Sequence, residues 1–304
     1  MQAYDPGEME AIDSKSRGGA AALLTLLALC AFAANSLLGR LALGSGAIDA
    51  ASYATVRLLA GAAVLVPMAF RRGGRPSGSW GSAAMLFAYA VPFAFAYRTL
   101  SAGTGALILF AAVQITMISA GLRSGERPGA VQWLGLALAF CGLAYLVSPG
   151  LAAPSPAGAG LMAVAGIAWG IYSLRGRRAG RPLAETAGNF ARALVPAAVV
   201  SGATIASAQA TLRGVALAAL SGAVASGVGY AIWYAALPRL TATVAATVQL
   251  AVPVLAAAGG VAFLAERVTA RLVLASVAIL GGVGLALAFR GKKPASPAGL
   301  AGEG

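Results

Sequence analysis

Tyr230, Trp233 and Tyr234 stand at i, i+3 and i+4, so on a helix they share one face. Tyr89, Phe93 and Tyr97 do the same at i, i+4 and i+8. Trp169 with Tyr172, and Phe32 with Asn35, are pairs three apart. Two further amides, Gln114 and Gln249, stand inside apolar runs. Aromatic faces offer a large apolar contact area, and their hydroxyl and indole N–H groups add hydrogen bonds. An amide meets either the amino or the carboxylate group of a zwitterion without fixing a net charge. This is the chemistry of holding a small molecule without bonding to it covalently. Candidate binding residues are therefore Asn35, Tyr89, Phe93, Gln114, Trp169, Tyr172, Tyr230, Trp233, Tyr234 and Gln249. Packing, anchoring at a membrane interface and interhelical bonding are competing uses of the same residue types.

Covalent chemistry finds no support. The chain has no histidine, no phosphate-binding loop, no G-x-S-x-G, no H-E-x-x-H and no paired cysteines at metal spacing. No enzyme, metal site or cofactor is expected. The two cysteines, Cys30 and Cys141, lie in apolar runs and read as buried small hydrophobes with no disulfide.

The elements that position these residues follow from composition. Hydrophobic residues make up 59% and charged residues 10%, against about 25% charged in soluble domains. A helix needs about 20 apolar residues to cross the hydrocarbon. Ten runs fit, at about 19–43, 48–70, 79–98, 101–122, 129–148, 155–175, 183–205, 211–236, 239–264 and 268–290. The first resembles a signal peptide with a site at Ala31-Phe32-Ala33, but the apolar run continues to Leu43 and reads as a membrane helix. Residues 1–18 and 291–304 are polar tails expected to be disordered. The fold class expected is all-α and integral to the bilayer.

The net charge of +13 does not point to nucleic acid, because the cations cluster between apolar runs. With a cytoplasmic N-terminus, fifteen Lys and Arg fall on the cytoplasmic side and five opposite, with Arg57 and Arg192 inside spans. Both termini then face the cytoplasm. Arg57 and Arg192 read mainly as structural, snorkelling or bonding to carbonyls, with an anion site as the alternative. Every Asp and Glu falls in a tail, a loop or a span end. Without an embedded carboxylate whose pKa can be tuned, gradient-driven movement is expected rather than proton antiport. Glu126-Arg127 and Glu266-Arg267 are expected to end helices and pair locally. Pro92, Pro196 and Pro253 fall within spans, where proline kinks a helix. Pro92 and Pro253 are the candidate hinges, with a fixed kink as the alternative.

The chain also repeats itself. Leu100-Ser101 precedes Glu126-Arg127 by 26 positions, and Leu240-Thr241 precedes Glu266-Arg267 by 26. Phe32-Ala-Ala-Asn-Ser-Leu-Leu-Gly-Arg40 is echoed by Trp169-Gly-Ile-Tyr-Ser-Leu-Arg-Gly-Arg177. A duplication of about 140 residues with five spans each places the second copy upside down, a plan of membrane transporters. The expected organisation is a tail at 1–18, a first repeat at 19–150, a second, inverted repeat at 151–290 and a tail at 291–304. Small-residue stripes, Gly135/Ala139/Gly142 and Ala275/Gly282/Ala286, allow close helix approach within a monomer, with a homodimer left open.

The segment Ala236-Leu-Pro-Arg-Leu-Thr-Ala-Thr-Val-Ala-Ala-Thr-Val-Gln-Leu-Ala-Val-Pro253, followed by Ala265-Glu-Arg-Val-Thr269 and Gly281-Gly282, resembles the EamA repeat of the drug/metabolite transporter (DMT) superfamily. The first half carries a weaker copy that lacks the proline matching Pro253. The resemblance implies ten transmembrane helices as two inverted five-helix repeats around a central cavity lined by helices 1, 3, 4, 6, 8 and 9. Within that superfamily the chain looks most like bacterial inner-membrane exporters of aromatic and other neutral amino acids. The implied partners are a small-molecule substrate and the lipid bilayer. Efflux of lipophilic cations would want an embedded carboxylate, and sugar-phosphate or nucleotide-sugar exchange would want cavity-facing Lys or Arg. A membrane scaffold would have a solid core where the transporter has a chamber.

Overall fold

Apolar runs bounded by capping residues fold here as helices. Asp49, Ser79, Ser155 and Thr211 each accept a hydrogen bond from a first-turn N–H, at Ser52, Ser82, Gly158 and Gly214 respectively. The computed structural model describes residues 6–123, 125, 129–150, 153–177, 179–236, 240 and 248–289. Among these the helices are α1 (Pro6–Gly44), α2 (Ala50–Arg71), α3 (Trp80–Ala96), α4 (Ala102–Arg123) and α5 (Ala130–Val147). They continue as α6 (Pro156–Gly176), α7 (Pro182–Ala203), α8 (Leu212–Ala236), α9 (Ala251–Leu264) and α10 (Ala270–Ala288). The ranges follow the apolar runs closely, with two differences. Residues 6–18, expected as a disordered tail, extend α1. The ninth run was expected from 239, whereas α9 starts at Ala251, and residues 241–247 lie outside the described set.

Gly19–Gly44 of α1, together with α2, α4, α5, α6 and α8, are long and apolar enough to cross a membrane, and α3, α9 and most of α10 are shorter apolar helices. Helix α7 carries Glu185, Asn189 and Arg192 and falls in neither group. Large apolar side chains such as Leu23, Trp133, Phe140, Val199 and Val277 are exposed on the outside. Such an exterior is unstable in water and suits lipid. Cys30 and Cys141 are both free and sit on this exposed face, not in the core.

Helix packing pairs α5 with α10, α2 with α7 and α4 with α9, while α6 packs on α3 and α4 and α1 packs on α8 and α9. The α5–α10 crossing is set by small residues. A Cβ at Gly135 would lie 2.5 Å from the Gly282 carbonyl oxygen, while Gly142 faces Ala278 and Ile279. Contact order therefore runs in opposite directions along the two helices, which are antiparallel. The α2–α7 pair is antiparallel as well, with Thr55 bonded to Ala197 and Ser201 while Gly61 abuts Phe190. The small-residue stripes thus meet within one chain.

Polar contacts fasten the two halves of the chain at both ends of the bundle. The α1–α2 turn lies antiparallel to the α7–α8 turn through Ile48 and Ala210. Asp49 anchors it, bonding the Gln209 N–H at 3.1 Å as well as the Ser52 N–H at 2.9 Å. Partial burial pushes the Asp49 carboxyl up, but the hydrogen bonds from Ser52, Gln209 and Ala51 outweigh this and hold it below the ordinary aspartate value. A carboxyl lowered in the folded state stabilises above its unfolded pKa, and that stability is lost as pH falls through the folded value. Asp49→Ala is expected to lower thermal stability by about 1 kcal/mol at pH 7, the cost of a lost N-cap. The deficit should shrink as the detergent-solubilised protein is melted at progressively lower pH below about 4.

Candidate functional site

Seven rings from four helices form a continuous aromatic chain. Tyr97 and Phe93 lie 4.7 Å apart between ring centroids, Phe93 and Tyr89 5.5 Å, and Tyr89 and Trp169 4.9 Å. Trp169 stacks on Tyr230 at 5.3 Å and 16°, and Phe32 bridges Tyr230 and Trp233 at 5.8 Å from each. The spacings at i, i+3 and i+4 bring each set to the same side of its helix, and packing of α3, α6, α8 and α1 joins the sets. Phe32, Asn35, Ser36, Tyr89, Phe93, Leu109, Phe110, Trp169 and Tyr230 surround one central space. That space is about 20 Å³, room for roughly one water. Among the described residues this space is narrower than a substrate chamber needs, because the rings stack on one another.

Beside the rings lies a buried polar ladder. Asn35 accepts from the Ser221 hydroxyl at 2.6 Å and donates to Ser226 Oγ at 3.2 Å. Tyr53 donates to Ser221 Oγ at 2.9 Å. Arg57 Nη2 donates to the Tyr89 hydroxyl at 2.7 Å and to Ser226 Oγ at 3.3 Å. Its guanidinium carbon stands 4.9 and 4.6 Å from the centroids of Tyr89 and Phe93. In an ordinary α-helix, residues five apart point about 140° apart, so Ser221 and Ser226 would diverge. Residues Ser221–Val228 form a π-helical stretch within α8, whose i→i+5 bonding brings residues five apart into line. Both hydroxyls therefore reach Asn35.

The other candidates are placed less centrally. Tyr172 and Tyr234 meet at Thr186, whose hydroxyl lies 3.4 and 3.2 Å from theirs, and Asn189 donates to the Tyr172 hydroxyl at 3.4 Å. Trp233 packs with Ala28 and Phe32 at the edge of the aromatic chain. Gln114 lies away from the rings, in a groove of about 340 Å³ between α4 and α5 that opens on the apolar exterior and is lined by Ile115, Ile118, Trp133 and Phe140. Gln249 lies in the turn leading into α9. Pro92 sits inside α3 between the pocket residues Tyr89 and Phe93, where it removes one backbone donor. Pro253 falls in the first turn of α9 as described, a position where a missing N–H breaks no intrahelical bond.

Two expectations change. Arg192 bonds the carbonyls of Ser77 and Gly188 at 2.6 and 3.0 Å, as a structural arginine does, but Arg57 neither snorkels nor bonds a carbonyl and sits among the site residues. Glu266 does not pair with Arg267. Its carboxylate accepts from Arg40 Nε at 3.2 Å and from the Ala102 N–H at 3.0 and 2.9 Å, because Ala265 adopts a left-handed conformation (φ 52°) that turns the chain back on α9. Glu126 and Arg127 lie outside the described residues. Ser221 and Ser226 were missed altogether. Their signal was two hydroxyls in an apolar run, which alone is too common to read.

Similarity to known proteins extends along the chain. The EamA-like transporter family model matches residues 19–148 and again 156–288. An uncharacterized protein of Pseudomonas aeruginosa is 52% identical over 271 residues, which is 88% of this chain and 94% of that protein. A solved crystal structure, 18% identical, aligns with a TM-score of 0.65 over 89% of this chain and 98% of its own, a likeness of fold. Twofold family match, all-helical fold and apolar exterior agree: this chain is a multi-pass membrane protein of the EamA-like transporter family, within the DMT superfamily, a family of transporters and not of enzymes.

Proposed function

We propose that this protein exports neutral amino acids, preferring apolar and aromatic side chains, by alternating access of two inverted five-helix repeats spanning residues 19–150 and 151–290. The observation that carries the reading is the ring stack of Tyr89, Trp169 and Tyr230, drawn from both halves around one small central space. Aromatic faces beside the amide of Asn35 match a zwitterion with an apolar side chain. Support for the inverted repeat comes from the packing. Exchanging each helix with its counterpart five places on turns α3–α6 into α8–α1 and α4–α6 into α9–α1, all of them observed pairs. Counterparts α2 and α7, and α5 and α10, run antiparallel, as opposed insertion requires. The excess of Lys and Arg on one side supports residence in the bacterial inner membrane with both termini cytoplasmic. The protein acts as a monomer, since its small-residue stripes are used internally.

Liposome flux of labelled phenylalanine tests the function. Wild-type vesicles are expected to exceed empty ones and to equilibrate the label without accumulating it under a pH gradient. Trp169→Ala, which deletes the ring at the centre of the stack, should cost about 2 kcal/mol of binding, roughly thirtyfold in affinity. The small volume of that space among the described residues favours one other reading, a non-transporting scaffold. Vesicles as tight to a panel of amino acids as protein-free ones would establish it. Uphill accumulation driven by pH alone would replace facilitated movement with antiport.

A further inference from the structure

We infer that Arg57 is the anchor for a carboxylate carried by the transported molecule, so that the substrate is recognised through its acidic end. The inference rests on the proposed reading of the ring-lined space as a substrate site. Arg57 is 2% exposed, among the largest fully buried side chains. Its hydrogen-bond partners, Tyr89 and Ser226, are neutral hydroxyls. Its Nη1 makes no hydrogen bond among the described residues. The ion pair formed by Glu266 is with Arg40, and no described carboxylate pairs with Arg57. A buried cation lacking both a counter-ion and a partner for one nitrogen carries a large desolvation cost. The protein elsewhere satisfies its intramembrane arginine, since Arg192 holds two carbonyls. The unmet donor therefore calls for a ligand.

Position and charge narrow that ligand. The guanidinium lies over Tyr89 and Phe93, and Asn35 shares Ser226 with it. Tyr89, Phe93 and Asn35 line the central space, and Arg57 stands directly behind them. A carboxylate taking Nη1, and Nη2 in place of the Tyr89 hydroxyl, would form a two-point fork with the guanidinium. One negative charge balances the one positive charge. A phosphate, nearly dianionic at neutral pH, would leave charge uncompensated, because Arg192 is already committed. A lipophilic amine would be repelled.

Competition against labelled phenylalanine counterflow in liposomes decides the matter, with 3-phenylpropanoate, which lacks the amine, and phenethylamine, which lacks the carboxylate. In the wild type the acid should compete at least about tenfold better than the amine. Arg57→Gln should erase that preference while keeping or raising thermal stability, because a buried uncompensated charge is removed. Arg57→Lys, which keeps the charge and loses the fork, should fall between. Equal competition by amine and acid in the wild type overturns the inference and leaves amino-acid export standing. So does a preference for acid that survives Arg57→Gln. If phenylalanine does not move but labelled 3-phenylpropanoate does, with loss in Arg57→Gln, the amino-acid reading fails and the anchor holds. If neither moves, both fall. Should Arg57→Gln fail to fold, the wild-type competition and Arg57→Lys decide alone.

Discussion

Gly222→Leu is expected to prevent accumulation of folded protein, with a loss of more than about 3 kcal/mol. A Cβ at Gly222 would collide with the carbonyl oxygen, carbonyl carbon and Cα of Arg57. All three are backbone atoms, so no side chain can rotate away. Helices α2 and α8 would have to separate, and Ser221 and Ser226 would leave Tyr53, Asn35 and Arg57 together. Each partner left behind is buried and polar, which adds desolvation to the clash. Gly160→Leu is the control, because nothing lies within 4 Å of a Cβ there. Size-exclusion profiles and melting of the solubilised protein should separate the two variants clearly. A Gly222→Leu protein with the wild-type midpoint would mean that α2 and α8 do not cross where described.

Glu266→Ala should produce the second large effect, a loss of about 2 kcal/mol seen as a lower thermal midpoint. The carboxylate sits at the N-terminus of α4, where the helix dipole favours an anion, and both of its oxygens accept from the Ala102 N–H. Removing it orphans that N–H and leaves Arg40 with the more distant carbonyls of Tyr97 and Arg98, at 3.3 and 3.4 Å. Glu266 is only 14% exposed, so water replaces the lost partner poorly. Glu266→Gln keeps an acceptor and should lose about half as much. Gly260→Ala should resemble Glu266→Ala, since its added methyl would press on Glu266 Oε2. Melts of these variants in high and low salt will check the ionic share, which should fade as salt rises.

How far the sequence foretold this arrangement differs by element. Apolar run length located the helices because the bilayer sets a minimum span. The aromatic faces were legible because three- and four-residue spacing is fixed by helix geometry, and Tyr89, Trp169 and Tyr230 did come together. Gly135 and Gly282 were legible as small-residue stripes, whereas Gly222 stands among other small residues of α8 with nothing local to show which one meets α2. The hydroxyl ladder was hidden by the π-helical stretch, since a regular helix would have sent Ser221 and Ser226 apart. The difference between Arg57 and Arg192 is not legible in the sequence, because their surroundings, aromatic rings for one and carbonyls for the other, come from distant parts of the chain. Glu266 was paired with its neighbour in sequence because a left-handed alanine is not readable from composition.

The two mouths of the bundle are sealed by unlike materials. Where α1 meets α2, and α9 meets α10, the halves are joined by carboxylates, Glu266 to Arg40 and Ala102 and Asp49 to Gln209. At the other mouth the joints are Arg175 to the hydroxyls of Ser79 and Ser82, Asn189 to the Ser79 N–H, and Arg192 to the Ser77 carbonyl. Dissolved electrolyte screens the Glu266–Arg40 ion pair more than it screens contacts between one charge and a neutral partner, which make up the described joints at the other mouth. The composition of the fluid bathing one face of the membrane thus acts more strongly on one of these two sets of joints than on the other, and the two ends of the bundle respond differently to their surroundings.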